Sequence, residues 1–103
     1  IAHGCWMNAA GGVTIGDGVI ISPKVVIAST KHLYVNGAVV LHGSEKGSVS
    51  IGAGTWIASN VTITKSVHVG KGVVVGAGSV VTKDLPDFFF CAGQPAVPIR
   101  EMV

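Results

Sequence analysis

The chain has 103 residues, of which 49% are apolar and only 12% charged, and its net charge is +2. This charge is too small and too scattered for a nucleic-acid-binding surface, and no apolar run reaches the roughly 18–20 residues that a membrane-spanning helix needs. The mean hydropathy of +0.63 is nevertheless high. We therefore expect one domain, residues 1–103, with a dense interior or a large subunit interface and without nucleic-acid or membrane partners.

The cysteines and the N-terminus suggest where the protein resides. Cys5 and Cys91 have neither the spacing of a metal site nor that of a disulfide framework. They fit a reducing compartment, and the sequence shows no secretory signal, so a cytoplasmic location is expected. The chain begins at Ile1, within apparent repeat material, which suggests either a missing N-terminal segment or an unusually short protein.

A six-residue repeat runs through most of the chain. An aliphatic residue recurs every six positions, and a small residue usually follows it: Ile15, Ile21, Ile27, Ile51, Ile57, Ile63, Val69, Val75 and Val81. Neither the 3.6-residue period of a helix nor the alternation of a flat strand gives this pattern. We predict an all-β fold, a parallel β-helix. Each repeat is one short strand plus a turn, and three repeats make an 18-residue coil around the inward-pointing aliphatic side chains.

Two segments depart from the repeat. Between Ile27 and Ile51 the phase is lost in a stretch rich in Gly and polar residues, and we predict an extruded loop at about residues 33–48. Loops of this length are often functional, although a plain surface excursion is the alternative. After Leu85 we expect a C-terminal cap at about residues 86–103. It should contain a turn at 84–87, a strand at 88–92, a turn at 93–96 and the start of a helix at 99–103.

The repeats carry a family resemblance. The stretch from Val69 to Pro86 is similar to the closing coils of the hexapeptide-repeat acetyltransferases, and Gly93-Gln94-Pro95-Ala96 resembles their last turn. Val13-Thr14-Ile15-Gly16-Asp17 and Trp56-Ile57-Ala58-Ser59 are also typical of that family. The resemblance is strongest to the branch that contains maltose and galactoside O-acetyltransferases. It implies a left-handed β-helix, a homotrimer with active sites between subunits, acetyl-coenzyme A as co-substrate, and a small acceptor such as a sugar.

Acetyl transfer to a hydroxyl requires a base that accepts the acceptor's proton. Histidine suits this task because its unperturbed pKa is about 6.5. His32 ends the run Ala28-Ser29-Thr30-Lys31-His32, where the repeat gives way to the loop. The resemblance implies that the catalytic base lies at this place, whereas His3 and His68 are expected to be structural or exposed. A surface histidine at the start of a loop is the alternative for His32.

The resemblance also implies a coenzyme site. The positions that match coenzyme contacts are Ser59, Ala77, Thr82, Lys83 and Arg100. Ser59 and Ala77 are 18 residues apart, so they should be neighbours in adjacent coils. By the same spacing, Lys65 should stack beside Lys83 and help to bind phosphate, or else be a solvated lysine.

The acceptor site is less well defined by the sequence. Trp56 could line the acceptor or coenzyme site or pack at a subunit interface, and Asn8 and His42 are candidate acceptor contacts. The match to the family around residues 1–12 is loose. We expect no metal site.

Two other functions remain open at this point. A γ-class carbonic anhydrase has the same fold and binds a metal through three histidines. His32 and His68 have a suitable spacing, but the third position is Val73. A β-helix scaffold without activity is the other alternative. Its ice-binding form would show many Thr-x-Thr ranks, and only Thr62-Ile63-Thr64 qualifies.

Overall fold

The computed structural model describes residues 1–103, apart from the side chains of Leu41 and His42, and shows a parallel β-helix. The fold class predicted from the repeat is confirmed, and the coils have the left-handed form that the resemblance implies. The molecule measures 46 × 25 × 19 Å along its principal axes. Among the residues described, there is no helix with the length and hydropathy that crossing a bilayer requires.

Three sheets form the faces of the β-helix. Face A contains β1 (Trp6–Asn8), β4 (Val26–Ala28), β9 (Thr62–Ile63) and β12 (Val80–Val81). Face B contains β2 (Val13–Ile15), β7 (Val49–Ile51) and β10 (His68–Val69). Face C contains β3 (Ile20–Ile21), β8 (Trp56–Ile57), β11 (Val74–Val75), β13 (Phe89–Gly93) and β14 (Ala96–Glu101). Neighbouring strands are parallel except in the last pair.

The coil length agrees with the prediction of 18 residues. Trp56 pairs with Val74, and Thr62 pairs with Val80, in each case 18 positions further along the chain. Inward-pointing aliphatic residues stack in ladders, such as Ile21, Ile57 and Val75 on face C. Ile57 is fully buried, and burial of a side chain of this size stabilises the fold by about 1.5–3 kcal/mol.

The turns at the corners use two kinds of residue. Gly52, directly after the inward Ile51, allows adjacent coils to approach closely, because a Cβ there would lie 2.6 Å from the backbone of Gly70. Gly54, two positions later, has a φ of +71°, a left-handed conformation that glycine adopts at low cost. Asn60 takes the same conformation at the next corner, with a φ of 60°.

The buried polar side chains join successive coils. The Thr55 hydroxyl donates to the carbonyl of Gly70 at 2.9 Å and accepts from the backbone N–H of Val73 at 3.1 Å. The buried Ser79 hydroxyl likewise donates to the Gly76 carbonyl and accepts from the N–H of Gly93. Each hydroxyl is thus paired as donor and acceptor, so its burial carries no desolvation penalty from an unmade hydrogen bond.

The segment predicted as a loop at residues 33–48 is a β-hairpin. Strands β5 (Thr30–Val35) and β6 (Ala38–Lys46) are antiparallel and are joined by Asn36-Gly37. Both turn residues have positive φ, 52° and 81°, as the two-residue type I′ turn of a tight hairpin requires. The hairpin begins at Thr30, three residues earlier than the predicted loop.

The C-terminal segment differs from the prediction in two places. The prediction of a helix at residues 99–103 is wrong, because β14 (Ala96–Glu101) pairs antiparallel with β13 and is the last strand of face C. The β-branched Val97 and Ile99 favour a strand, and Pro98 disfavours a helix interior. Leu85, which the sequence predicts in a turn, still pairs with Val69 and is buried, so the chain turns after it.

Candidate functional site

A cleft of about 490 Å³ lies where the hairpin leaves the β-helix. Face A and the two hairpin strands contribute its lining: Trp6, Asn8, Ala28, Thr30, Lys31, His32, Gly43 and Ser44. Its volume falls within the range typical of small-molecule sites. Two of the residues singled out from the sequence, His32 and Asn8, therefore share one cleft, although they are 24 positions apart.

His32 is an exposed residue of β5 whose position is fixed by strand pairing. It lies opposite Ser44 of β6, and the register of the hairpin shifts between His32 and Tyr34. Such irregularities bend a strand and redirect side chains, and they are frequent beside active sites. Two residues before His32, Thr30 adjoins the rigid corner that follows β4. The imidazole is therefore held close to the core and remains accessible to a ligand.

Asn8 is held in place by hydrogen bonds on both sides of its amide. Its Oδ1 accepts from the backbone N–H of Ala10 at 3.0 Å, and its Nδ2 donates to Thr30 Oγ1 at 3.1 Å. Beneath it, the fully buried Ser29 hydroxyl donates to the Asn8 carbonyl at 2.7 Å and accepts from the N–H of Gly11 at 2.8 Å. The polar wall of the cleft is therefore preformed in the single chain.

Ion pairs tie the hairpin to the β-helix. One carboxylate oxygen of Glu45 lies 3.6 Å from Nζ of Lys31 and 3.4 Å from Nζ of Lys65. Lys31 belongs to the hairpin and precedes His32, whereas Lys65 belongs to the next coil. The side chain of Lys65 is only 24% exposed, so this contact is screened less than a fully solvated one. Glu45 thus links the strand that carries His32 to the rigid coil below it.

The candidate coenzyme residues fall at three places. Ser59 and Ala77 are neighbours at the corner between faces C and A, as their spacing predicted, and the N–H of Gly78 donates to the carbonyl of Ser59 at 3.0 Å. Thr82 and Lys83 are exposed at the opposite corner, between faces A and B. The two corners border the outer surface of face A on either side.

The remaining cationic candidates have different surroundings. Arg100 is exposed on β14, opposite Phe90, and its Nη2 lies 3.8 Å from the sulfur of Met102. Lys65 is one coil before Lys83 at the same corner, as predicted, but it is paired with Glu45. Lys83 forms no ion pair with any residue that the structure describes. None of the six coenzyme candidates lines the cleft that contains His32.

Trp56, another acceptor candidate, lies on a different face of the β-helix. Trp56 is on the outer surface of face C, 48% exposed, and its Nε1 donates to Ser22 Oγ at 2.9 Å. It does not line the cleft. The side chain of His42 lies outside the described residues.

The structure adds residues that sequence reasoning did not single out. Trp6, Thr30, Lys31 and Ser44 line the cleft, and Glu45 anchors its hairpin. Trp6 pairs with Val26, which is 20 positions away rather than 18, so the first coil does not follow the six-residue phase. The Asn-Gly pair between apolar residues was a usable signal for the hairpin.

The other histidine, cysteine and acidic side chains that the structure describes do not form a second site. Within the described part of the chain, no three His, Cys, Asp or Glu side chains gather into a group that could hold a metal ion. His68 lies on face B, with its Nδ1 2.7 Å from Ser50 Oγ. Burial raises the pKa of the Cys91 thiol, and the residue is fully enclosed in the core. A thiol of this kind stays protonated and is not a nucleophile.

The repeats match a known family. Residues 48–83 match the family described as bacterial transferase hexapeptide (six repeats). The chain is a member of the hexapeptide-repeat family. The resemblance drawn from the sequence is thereby confirmed.

The hexapeptide-repeat chain is similar to enzymes of known activity. It is 41% identical to the galactoside O-acetyltransferase of Escherichia coli (strain K12), over 87% of this chain and 44% of that protein. A hexapeptide-repeat acetyltransferase of Vibrio cholerae O1 biovar eltor, solved with acetyl-coenzyme A, superposes with a TM-score of 0.86 at 28% identity, over 97% of this chain and 55% of that one.

A maltose O-acetyltransferase of Clostridium difficile 630 superposes with a TM-score of 0.80 at 31% identity, over 96% of this chain and 56% of that one. The hexapeptide-repeat chain spans about half the length of these proteins. Their likeness therefore establishes the shared β-helix.

The Glu45 ion pairs give a first prediction. Glu45→Gln should loosen the hairpin, because exposed ion pairs contribute about 0.2–1 kcal/mol each. Amide hydrogen exchange of residues 30–46, followed by mass spectrometry, should become about two- to five-fold faster, while the buried face C strands remain protected. Glu101→Gln is the matched control, since Glu101 is exposed and forms no ion pair among the described residues. Equal exchange in both variants would show that Glu45 does not anchor the hairpin.

Proposed function

We propose that the chain is the catalytic β-helix of an acetyltransferase that moves an acetyl group from acetyl-coenzyme A to a hydroxyl of a small acceptor, namely a sugar. The observation that carries the proposal is the placement of His32 in a preformed polar cleft beside Asn8. The relatives support it, because they include a galactoside and a maltose O-acetyltransferase. A cytoplasmic location accompanies the proposal, since Cys5 and Cys91 are both free thiols, as is typical of a reducing compartment.

In the proposed reaction, His32 is the general base. Its neutral imidazole accepts the proton of the acceptor hydroxyl as the oxygen attacks the thioester carbonyl. The resulting tetrahedral intermediate collapses, the carbon–sulfur bond breaks, and the thiolate of coenzyme A takes up the proton. The products are an acetyl ester and free coenzyme A, and no metal takes part. Asn8, Trp56 and His42 are proposed to contact the acceptor or the acetyl group.

The coenzyme is proposed to use the small and cationic residues around face A. Ser59 and Ala77 would let the pantetheine arm lie against backbone at their corner, with Thr82 at the far corner. Lys83 and Arg100 would meet the phosphates. Lys65 would join them by sharing its charge between Glu45 and a phosphate.

A homotrimer would bring these separate groups together. The outward residues of face C include Ile20 and Trp56, which are 63% and 48% exposed, and those of face A include Val26 and Val80. Face B instead presents Thr14, Ser50 and His68. Exposed apolar side chains on face C, the half-buried valines on either side of Thr62 on face A, and a polar face B favour assembly through faces A and C. The coenzyme residues of one subunit would then face the His32 cleft of the next.

The oligomeric state is tested by sedimentation equilibrium. We expect a mass of about three times the 10.4 kDa chain. Ile20→Glu should shift the protein to monomer, because it places a charge in an apolar interface. Thr14→Glu, on the polar face B, should leave the mass unchanged. A monomeric wild-type protein at micromolar concentration would contradict an active site that is shared between subunits.

The role of the base is tested by His32→Ala. Removal of a general base costs about 10²–10⁴-fold in rate, so acetyl transfer to a productive sugar acceptor should fall by that factor while coenzyme binding persists. Activity of the parent should fall as the pH drops, because protonated imidazole cannot accept a proton. His3→Ala and His68→Ala should retain nearly full activity. Turnover of His32→Ala within a few-fold of the parent would contradict the mechanism.

The coenzyme path is tested by Ala77→Trp. Ala77 is exposed at the corner it shares with Ser59, so an indole there should block the pantetheine arm. A steric conflict of roughly 1–3 kcal/mol corresponds to a loss of about 10- to 100-fold in affinity for coenzyme A, measured by calorimetry. Ala53→Trp is the control, because Ala53 is also exposed but lies at the corner between faces B and C. Unchanged affinity in Ala77→Trp would place the coenzyme elsewhere.

A further inference from the structure

Trp6 is a large aromatic residue on the surface of the β-helix, so it is not part of the hydrophobic core. It lies on β1 at the outer surface of face A and is 56% exposed, yet it lines the cleft beside His32. Val26, its register partner in the next strand, supports it from one side. The part of the indole that lines the cleft is available to a ligand there, while the rest of face A is proposed to contact a neighbouring subunit.

The other groups of the cleft define what kind of ligand suits this surface. Asn8, Thr30, His32 and Ser44 offer amide, hydroxyl and imidazole groups. The Asn8 amide donates one hydrogen to Thr30, and among the described residues its second N–H and the Thr30 hydroxyl proton have no acceptor, so both can meet a ligand. Aromatic surface and fixed polar groups thus line the same small cleft.

A pyranose ring has matching chemistry. The C–H groups on one of its faces carry partial positive charge and pack well against the negative face of an aromatic ring, while its hydroxyls form hydrogen bonds around the rim. An open-chain polyol has the same hydroxyls but no rigid apolar face. The cleft therefore combines the two features that distinguish a cyclic sugar from other hydroxyl compounds.

We propose that Trp6 is an acceptor-binding residue that stacks on a pyranoside ring and makes the site select cyclic sugars over open-chain hydroxyl acceptors. This inference rests on the proposed acetyl transfer and adds to it the ring form of the sugar and the residue that selects it. The adenine of the coenzyme is the competing occupant, since a base can also stack on an indole.

The first experiment compares acceptors in the full chain with acetyl-coenzyme A, with release of free thiol as the signal. The acceptors are methyl β-galactopyranoside, methyl α-glucopyranoside and the open-chain galactitol. Trp6→Ala should lower kcat/KM for the better pyranoside by about tenfold, through KM rather than kcat, because stacking adds binding energy without contacting the reacting atoms. The value for galactitol should change less than two-fold, and Trp6→Phe should restore most of the loss.

Tyr34→Ala is the matched control, because Tyr34 is an exposed aromatic residue of the same hairpin that does not line the cleft. An equal loss for galactitol and for the pyranosides would overturn the proposal by showing that Trp6 has only a structural role. A rise in the KM for acetyl-coenzyme A, with the KM for pyranosides unchanged, would overturn it in favour of the coenzyme.

The second experiment does not depend on turnover. Trp6 and Trp56 are the two tryptophans of the sequence, so the signal of Trp6 is the difference between the wild-type chain and Trp6→Phe. Titration with methyl β-galactopyranoside and methyl α-glucopyranoside should change the fluorescence of the wild-type chain with saturation for at least one of them, whereas galactitol should not, and the change should be lost in Trp6→Phe. Absence of any saturable change with both pyranosides overturns the stacking. A saturable change in a protein that transfers no acetyl group would keep the stacking and refute the proposed reaction.

Discussion

The stacking of inward aliphatic side chains from one coil onto the next is the interaction on which the structure depends. Residues such as Ile21, Ile57 and Val75 remain in register only if each coil contributes 18 residues along the ladder. An insertion cannot be absorbed within a strand, because a shift of one position would turn apolar side chains to solvent. It must leave and rejoin the β-helix at a corner. The hairpin does so, and Val13 therefore pairs with Val49, two coil lengths further along the chain.

This constraint also determines where the candidate site forms. The hairpin leaves face A after β4 and returns to face B at β7, so its base is attached to the rigid corner at Ser29 and Gly47, where the N–H of Gly47 donates to the carbonyl of Ser29 at 2.9 Å. His32 lies near that base, whereas Tyr34 lies close to the tip. A residue near the base inherits the rigidity of the coils, which general acid–base chemistry requires for positioning. The ion pair of Glu45 with Lys65 reinforces the same attachment from the side of the next coil.

The three faces of the β-helix are built from the same repeat but present different surfaces. Inward positions are uniformly apolar because they share one core, whereas outward positions are free to vary. Face B carries Thr14, Ser50 and His68, and face C carries Ile20, Trp56 and Val74. Large exposed apolar side chains therefore lie on faces A and C, as with Trp6, Ile20 and Trp56, whereas face B presents polar groups to solvent.

The sequence by itself determined the fold class, the coil length and the core, because the six-residue period is a local pattern and each inward position needs an aliphatic side chain. It also determined that Ser59 and Ala77 are neighbours, since both follow that period. It did not determine that a strand, and not the predicted helix, forms near residues 99–103, because pairing with β13 decides this. It also did not determine the ion-pair partner of Lys65. The contacts of Trp6, Asn8 and Glu45 join segments that are far apart in the chain or out of phase with the repeat. Only the tertiary structure brings them together, because the course of the hairpin over the β-helix depends on strand pairing and ion pairs that no periodicity encodes.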